Sequence, residues 1–184
     1  MTSGYKPRIT LLCTAFVCYI ALMRITYITG DATKPVGDKP IILAQICNDV
    51  GGWGAGFVLA ISKRWETPES EFYAWYERKQ DFALGNVQFV TVEDGLLVAN
   101  MIGQHDIYPV DGVPPIRYDA VQKCLSKVRK KAESLGATIH MPKIGAGLAG
   151  GDWAVIEEII QEELCNNGIS VTVYTLPKPK SQSK

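Results

Sequence analysis

The sequence predicts an α/β fold: a mixed sheet with helices on both faces. Three observations predict it. Short β-branched or apolar runs alternate with stretches of helical spacing, which is the signature of strands and covering helices in turn. One pair of runs, 86–92 and 96–102, is separated only by Glu93-Asp94-Gly95 and reads as a hairpin. Two core-like runs each open into a glycine-rich loop that leads directly into a helical segment. With 184 residues and 47% hydrophobic content, the chain suits one domain with a substantial core.

The elements follow in order. RITYIT (24–29) alternates and is broken by Gly30-Asp31, so it is a strand ending in a turn. Loop residues fill 31–40, and the continuous apolar run IILAQIC (41–47) suits a central strand covered on both faces. NDVGGWGAG (48–56) is the first glycine-rich loop, and 57–65 has helical spacing. Glu69 to Arg78 is a further helix after Pro68. Ile116 to Leu135 carries Val121, Cys124, Leu125, Val128 and Ala132 on one stripe, and Gly136 stops it. TIHMPKI (138–144) is a strand, GAGLAGGDW (145–153) the second glycine-rich loop, Ala154 to Cys165 a helix, and 169–176 a last strand. Residues 177–184 form a polar tail, and no internal repeat is visible.

Residues 9–23 are an almost unbroken apolar run after Lys6 and Arg8. The run falls short of the about 20 residues of a membrane span, though within signal-peptide range. The first expectation is that Met23 is the true start and 1–22 an upstream extension; a membrane anchor and a cleaved signal come second and third. The main domain is therefore 23–176. Outside 1–22, no membrane contact and a cytoplasmic, monomeric protein are expected.

Nineteen basic and nineteen acidic residues cancel, which offers nucleic acid no general attraction. An anionic ligand must be held locally. Five scattered cysteines and two histidines, His105 and His140, make no zinc pattern, so no metal and no cofactor are expected.

In α/β sheets ligands bind beyond the carboxyl ends of the strands, where both glycine-rich loops fall. Glycine lets the backbone approach closely and turn successive N–H groups inward as an anion nest, and a following helix adds about half a positive charge. Two such loops face to face would clasp a diphosphate. One glycine-rich turn alone is more often a tight connection, and neither loop fits the dinucleotide fingerprint or the P-loop. Asp31 reads as an Asx-turn or as an acceptor for an exocyclic amine such as that of adenine. Asn48 and Asp49 read as turn formers, with Asn48 also able to orient a ribose hydroxyl. Trp53 and Trp153 suit packing anchors or walls of a nucleotide site. Asp152 is at least a helix N-cap.

ITYITGDAT (25–33), ICNDVGGWGAGFVLAISKRW (46–65), IHMPKIGAGLAGGDW (139–153) and SVTVYTL (170–176) resemble the macrodomain family. The resemblance is closest to the branch of terminal ADP-ribose glycohydrolase and the ADP-ribose-1″-phosphate phosphatases, and it covers essentially all of 23–176. It implies a three-layer α/β/α sandwich with a mixed, mostly parallel sheet. By resemblance Asp31 would bind the adenine amine, with Ala32 beside the ring, and Asn48 would face the distal ribose. Gly51, Gly52, Trp53, Gly54, Gly56 and Phe57 would form the first diphosphate loop. Ile144, Gly145, Ala146, Gly147, Leu148, Ala149 and Gly150 would form the second.

The chain departs from both branches: Gln104 stands in place of the attacking lysine, Ala149 in place of an aspartate, and Gln45 in place of the phosphatase histidine. The expected activity is removal of ADP-ribose from Asp or Glu esters on modified proteins. Asn48, Asp49, Gln104 and Asp152 are the candidates to orient water, and His105 is a candidate base. The alternatives are a non-catalytic ADP-ribose reader and a hydrolase of ADP-ribose-1″-phosphate or O-acetyl-ADP-ribose.

Overall fold

The computed structural model describes residues 24–177. Six strands form one sheet in the order β1-β6-β5-β2-β4-β3. They are β1 (Thr26–Thr29), β2 (Ile41–Asn48), β3 (Val87–Glu93), β4 (Leu96–Gln104), β5 (Thr138–Pro142) and β6 (Val171–Thr175). All neighbours are parallel except β3 and β4, the expected hairpin. The helices are α1 (Phe57–Ser62), α2 (Thr67–Arg78), α3 (Tyr118–Leu135) and α4 (Trp153–Glu163).

Strand alternation sends β2 side chains to two cores. Ile42 and Ala44 pack with Val121, Leu125 and Val128 of α3 and Ile156 and Ile160 of α4. Leu43 and Cys47 pack with Ile61 of α1 and Phe72 and Trp75 of α2. The result is the three-layer α/β/α sandwich, with β2 central and buried at nearly every position, as its unbroken apolar run requires.

The sequence reading needs correction at several boundaries, among them the start of α2 at Thr67 rather than Glu69 and the end of β4 at Gln104 rather than 102. The first helix stops at Ser62 rather than 65, because Lys63, Arg64 and Trp65 close a turn onto Leu59 and Ile61 carbonyls. Strand β5 ends at Pro142, so Lys143 and Ile144 belong to the second loop. The last helix begins at Trp153 and gives way to a 3-10 turn at Cys165–Asn167. The apolar run at 9–23 and most of the polar tail lie outside the described residues. Among the described residues, no helix is long and apolar enough to cross a membrane.

Candidate functional site

Parallel pairing carries the ends of β2, β4 and β5 to one edge of the sheet. The loops that leave them enclose a cleft of about 240 Å³. Loop 1 (49–56) supplies Ala55 and Gly56, with Phe57 at the start of α1; loop 2 (143–152) supplies Ile144, Gly145, Gly147, Leu148 and Ala149. Gln45, Ile46, Gln104 and Pro142 line it from the strands and Val58 from α1, and Lys143 is the one charged residue there. A larger groove of about 790 Å³ between β1 and α4 is shallow and carries Glu157, Glu158 and Glu162 against a single Arg24, a poor setting for an anion.

Loop 1 is tied down by side chains. The Asn48 amide accepts from Gly52 N–H at 2.7 Å and Val50 N–H at 3.2 Å, and donates to the Gly52 carbonyl at 2.6 Å. Its carbonyl is thereby used by the loop itself. Trp53, which the sequence offered both as a packing anchor and as part of the diphosphate loop, is buried beneath the loop: its indole N–H donates to Ser62 at 2.7 Å and its ring lies 5.1 Å from Phe72. Gly51 has φ 77°, and a Cβ there would fall 2.7 Å from the Tyr76 ring; one at Gly52 would meet Ile107 at 2.8 Å. These two glycines answer to packing.

Gly54 and Gly147 do not. Neither has positive φ, and a Cβ built on either meets nothing within 4 Å. One sits in each loop.

Loop 2 is held by its backbone. Gly151 N–H donates to Gly145 O at 2.9 Å, Gly150 N–H to Gly147 O at 3.0 Å, and Ile116 N–H to Ala149 O at 3.1 Å. Ala146 packs toward the core while Leu148 stands 73% exposed at the rim. Asp152 caps α4, accepting from Ala154 N–H at 2.9 Å, and lies outside the cleft lining.

Asp31 stands at the end of β1, beside a separate hollow of about 260 Å³ lined also by Thr33, Lys34, Ala60, Lys63 and Arg64. Desolvation works against its charge, but hydrogen bonds from the Thr33 N–H and hydroxyl, with Lys34 and Arg64 nearby, outweigh it and hold the carboxyl below its ordinary value. Ala32 is buried in the core on the α1 side.

A third loop, 105–117, escaped sequence reading. It joins β4 to α3 and touches both glycine-rich loops. His105 Nδ1 lies 2.7 Å from Asp49 Oδ2, and Asp106 N–H donates to Asp49 Oδ1 at 2.9 Å. On the other side Ile116 bonds to Ala149, and Pro114 crowds Gly150. Gln104, at the root of this loop, donates to the Asp106 carbonyl at 2.9 Å. Asp106 holds φ 63°, unusual for a residue with a side chain. No local signal marks the contacts to the two glycine-rich loops, since they join residues far apart in the chain.

Gln45, buried under the cleft, starts a chain of amides. It donates to Asn100 Oδ1 at 2.7 Å, and Asn100 donates to the Pro68 carbonyl and Gln88 Oε1. Gln88 donates in turn to the Glu71 carbonyl. Backbone carbonyls only accept, so the chain has one direction and leaves Gln45 Oε1 without a hydrogen-bond partner. The buried thiols of Cys124 and Cys165 are pushed up to about 12 and about 11 by burial, and that of Cys47 is also raised, which leaves them unreactive. Among the described residues, no group of three or more His, Cys, Asp or Glu side chains is placed to hold a metal.

No family model matches the chain. An ADP-ribose 1″-phosphate phosphatase of Candida albicans is 30% identical over 147 residues, which cover 75% of this chain and 92% of that protein. A Bacteroides thetaiotaomicron protein of unknown function has a solved structure that is 56% identical, with a TM-score of 0.82, covering 83% of this chain and 98% of that one. A macrodomain protein from Streptomyces coelicolor is 47% identical, with a TM-score of 0.74, covering 83% of this chain and 99% of that one. The chain spans only 15% to 18% of the chromodomain-helicase-DNA-binding 1-like proteins of zebrafish and mouse that it also matches.

Proposed function

The chain belongs to the macrodomain family, and on that premise we propose that it binds ADP-ribose and hydrolyses the ester joining ADP-ribose to Asp or Glu side chains of modified proteins. One observation carries the binding half. Gly147 lines the cleft from loop 2 and Gly54 immediately precedes its loop 1 lining residues Ala55 and Gly56; both face open space, with neither a dihedral nor a packing reason to be glycine. A Cβ at either meets no protein atom within 4 Å, and one at Gly147 would stand in the cleft itself. A diphosphate seated there would meet loop N–H groups and Lys143 rather than a helix end, since α1 has only six residues and the Asp152 carboxylate already caps α4.

The strand order supports one direction for the ligand. Asp31 follows β1 at one edge of the sheet, loops 1 and 2 follow β2 and β5 at its middle, and Gln104 ends β4 beyond them. Adenine at Asp31 and diphosphate between the loops send the distal ribose toward Gln104 and loop 3. Asn48, its amide spent on loop 1, acts by shaping that loop, and Gln104 and Asp49 stand closest to the reacting end. Asp152 has its cap to fill.

A carboxylate ester is labile, and correct placement of a water contributes much of its hydrolysis. A second reading, hydrolysis of ADP-ribose-1″-phosphate, is favoured by the Candida relative's name. Calorimetry with ADP-ribose, ADP and NAD tests binding, and release of ADP-ribose from glutamate-modified protein tests turnover. Binding without release leaves a reader of ADP-ribose; release only of phosphate from ADP-ribose-1″-phosphate selects the second reading.

A further inference from the structure

We propose that His105, oriented by Asp49, is the general base that activates water at the β4 end of the cleft. This rests on the ester-hydrolase reading above. An ionised carboxylate only accepts, so the 2.7 Å contact with Asp49 Oδ2 places the proton on His105 Nδ1. In the neutral ring Nε2 then carries a lone pair. The imidazole is about half exposed, while Asp49 is largely buried and fixed by Asp106 N–H on its other oxygen. The pair is thus an anchored carboxylate holding an accessible ring in one tautomer. His105 follows Gln104, which lines the cleft, and its own N–H is bound to the Pro115 carbonyl, so the backbone on both sides is held.

The chemistry asks for a base and little else. Nε2 takes a proton from water as the oxygen bonds to the anomeric carbon of the distal ribose. The bond from that carbon to the acyl oxygen breaks, and its electron pair leaves on the carboxylate. A carboxylate departs without protonation, so no acid is required; the imidazolium returns its proton to solvent. The products are ADP-ribose and the free side-chain carboxylate. Asp49 is a positioning residue in this step.

The test uses the full chain, with glutamate-linked ADP-ribosyl protein as substrate and ADP-ribose as the binding probe. His105→Ala should lower kcat by at least about a hundredfold, with calorimetric affinity for ADP-ribose within about twofold and an unchanged melting temperature. Added imidazole should restore part of the rate. Asp49→Asn removes the acceptor that fixes the tautomer, and should lower kcat without responding to imidazole. A His105→Ala protein with near-wild-type kcat overturns the proposal, as does one that is slow and deaf to imidazole, since that marks a structural role. Wild type that binds ADP-ribose but releases none overturns the hydrolase reading itself, a result separable from the other two.

Discussion

Loops 1 and 2 share a cleft but are held by different means. Loop 1 is fastened by side chains: the Asn48 amide closes its turn, Trp53 plugs into the α1 and α2 layer, and Tyr76 and Ile107 cover Gly51 and Gly52. Loop 2 is fastened by backbone hydrogen bonds within itself and to Ile116, and its middle is exposed at Gly147 and Leu148. Rigidity in loop 1 is therefore written in residues that substitution can remove, whereas loop 2 follows from its glycines and the strand that feeds it. Loop 1 is the fixed wall against which loop 2 presents bare backbone.

The comparison breaks most visibly at Trp53. Trp53→Ala empties a buried site and loses the Ser62 hydrogen bond, so it should cost about 3–5 kcal/mol in urea unfolding. Gly51→Ala should cost roughly 2–4 kcal/mol, because it combines a left-handed backbone with a ring 2.7 Å away. If both variants unfold at the wild-type urea midpoint, loop 1 is not held as described.

Acid probes the strand that feeds loop 2. His140 on β5 is buried, and burial pulls it down to about 4. Its Nδ1 lies 2.9 Å from the Tyr174 hydroxyl and its Nε2 3.1 Å from the Thr138 hydroxyl, so both ring nitrogens are hydrogen-bonded without a charged partner. The native ring is neutral. Unfolded, it takes a proton below its ordinary value near 6.5, so the unfolded state binds more protons across that window. Stability should fall as pH drops from about 6.5 to about 4, by up to about 3 kcal/mol, and the window closes below that. Asp31, held below its ordinary value, loses its contribution only at lower pH. Urea midpoints at several pH values should show the drop in wild type and a shallower one in His140→Gln.

The sequence made the sheet legible because its signals are local: alternation in 24–29, an unbroken apolar run in 41–47, and the stripe ending at Gly136. The two glycine-rich loops were legible for the same reason, and so was the Asp152 cap. Loop 3 was not. Its 105–117 residues carry no period, and their place depends on β2 lying beside β4, a parallel pairing that brings Asp49 against His105. Trp53 was left with two readings, because a tryptophan in a glycine-rich loop looks alike in sequence whether it faces a ligand or the core. The layer formed by α1 and α2 decides which.

The smallest effect on stability is expected where the effect on binding is clearest. Gly147→Val adds a side chain at ordinary φ into open space, so unfolding should change by less than about 0.5 kcal/mol. The same atoms would stand where the diphosphate is proposed to lie, and calorimetric affinity for ADP-ribose should fall at least about tenfold, or about 1.4 kcal/mol. Gly54→Val, next to the cleft-lining Ala55 and Gly56, should repeat this from loop 1. The pair separates a cleft from a connector: a connector glycine with free space around it tolerates valine in both measurements. Full affinity in both variants would mean that the loops do not close on a ligand, whatever the family resemblance. Loss in Gly147→Val alone would place the ligand against loop 2 and leave loop 1 as scaffold.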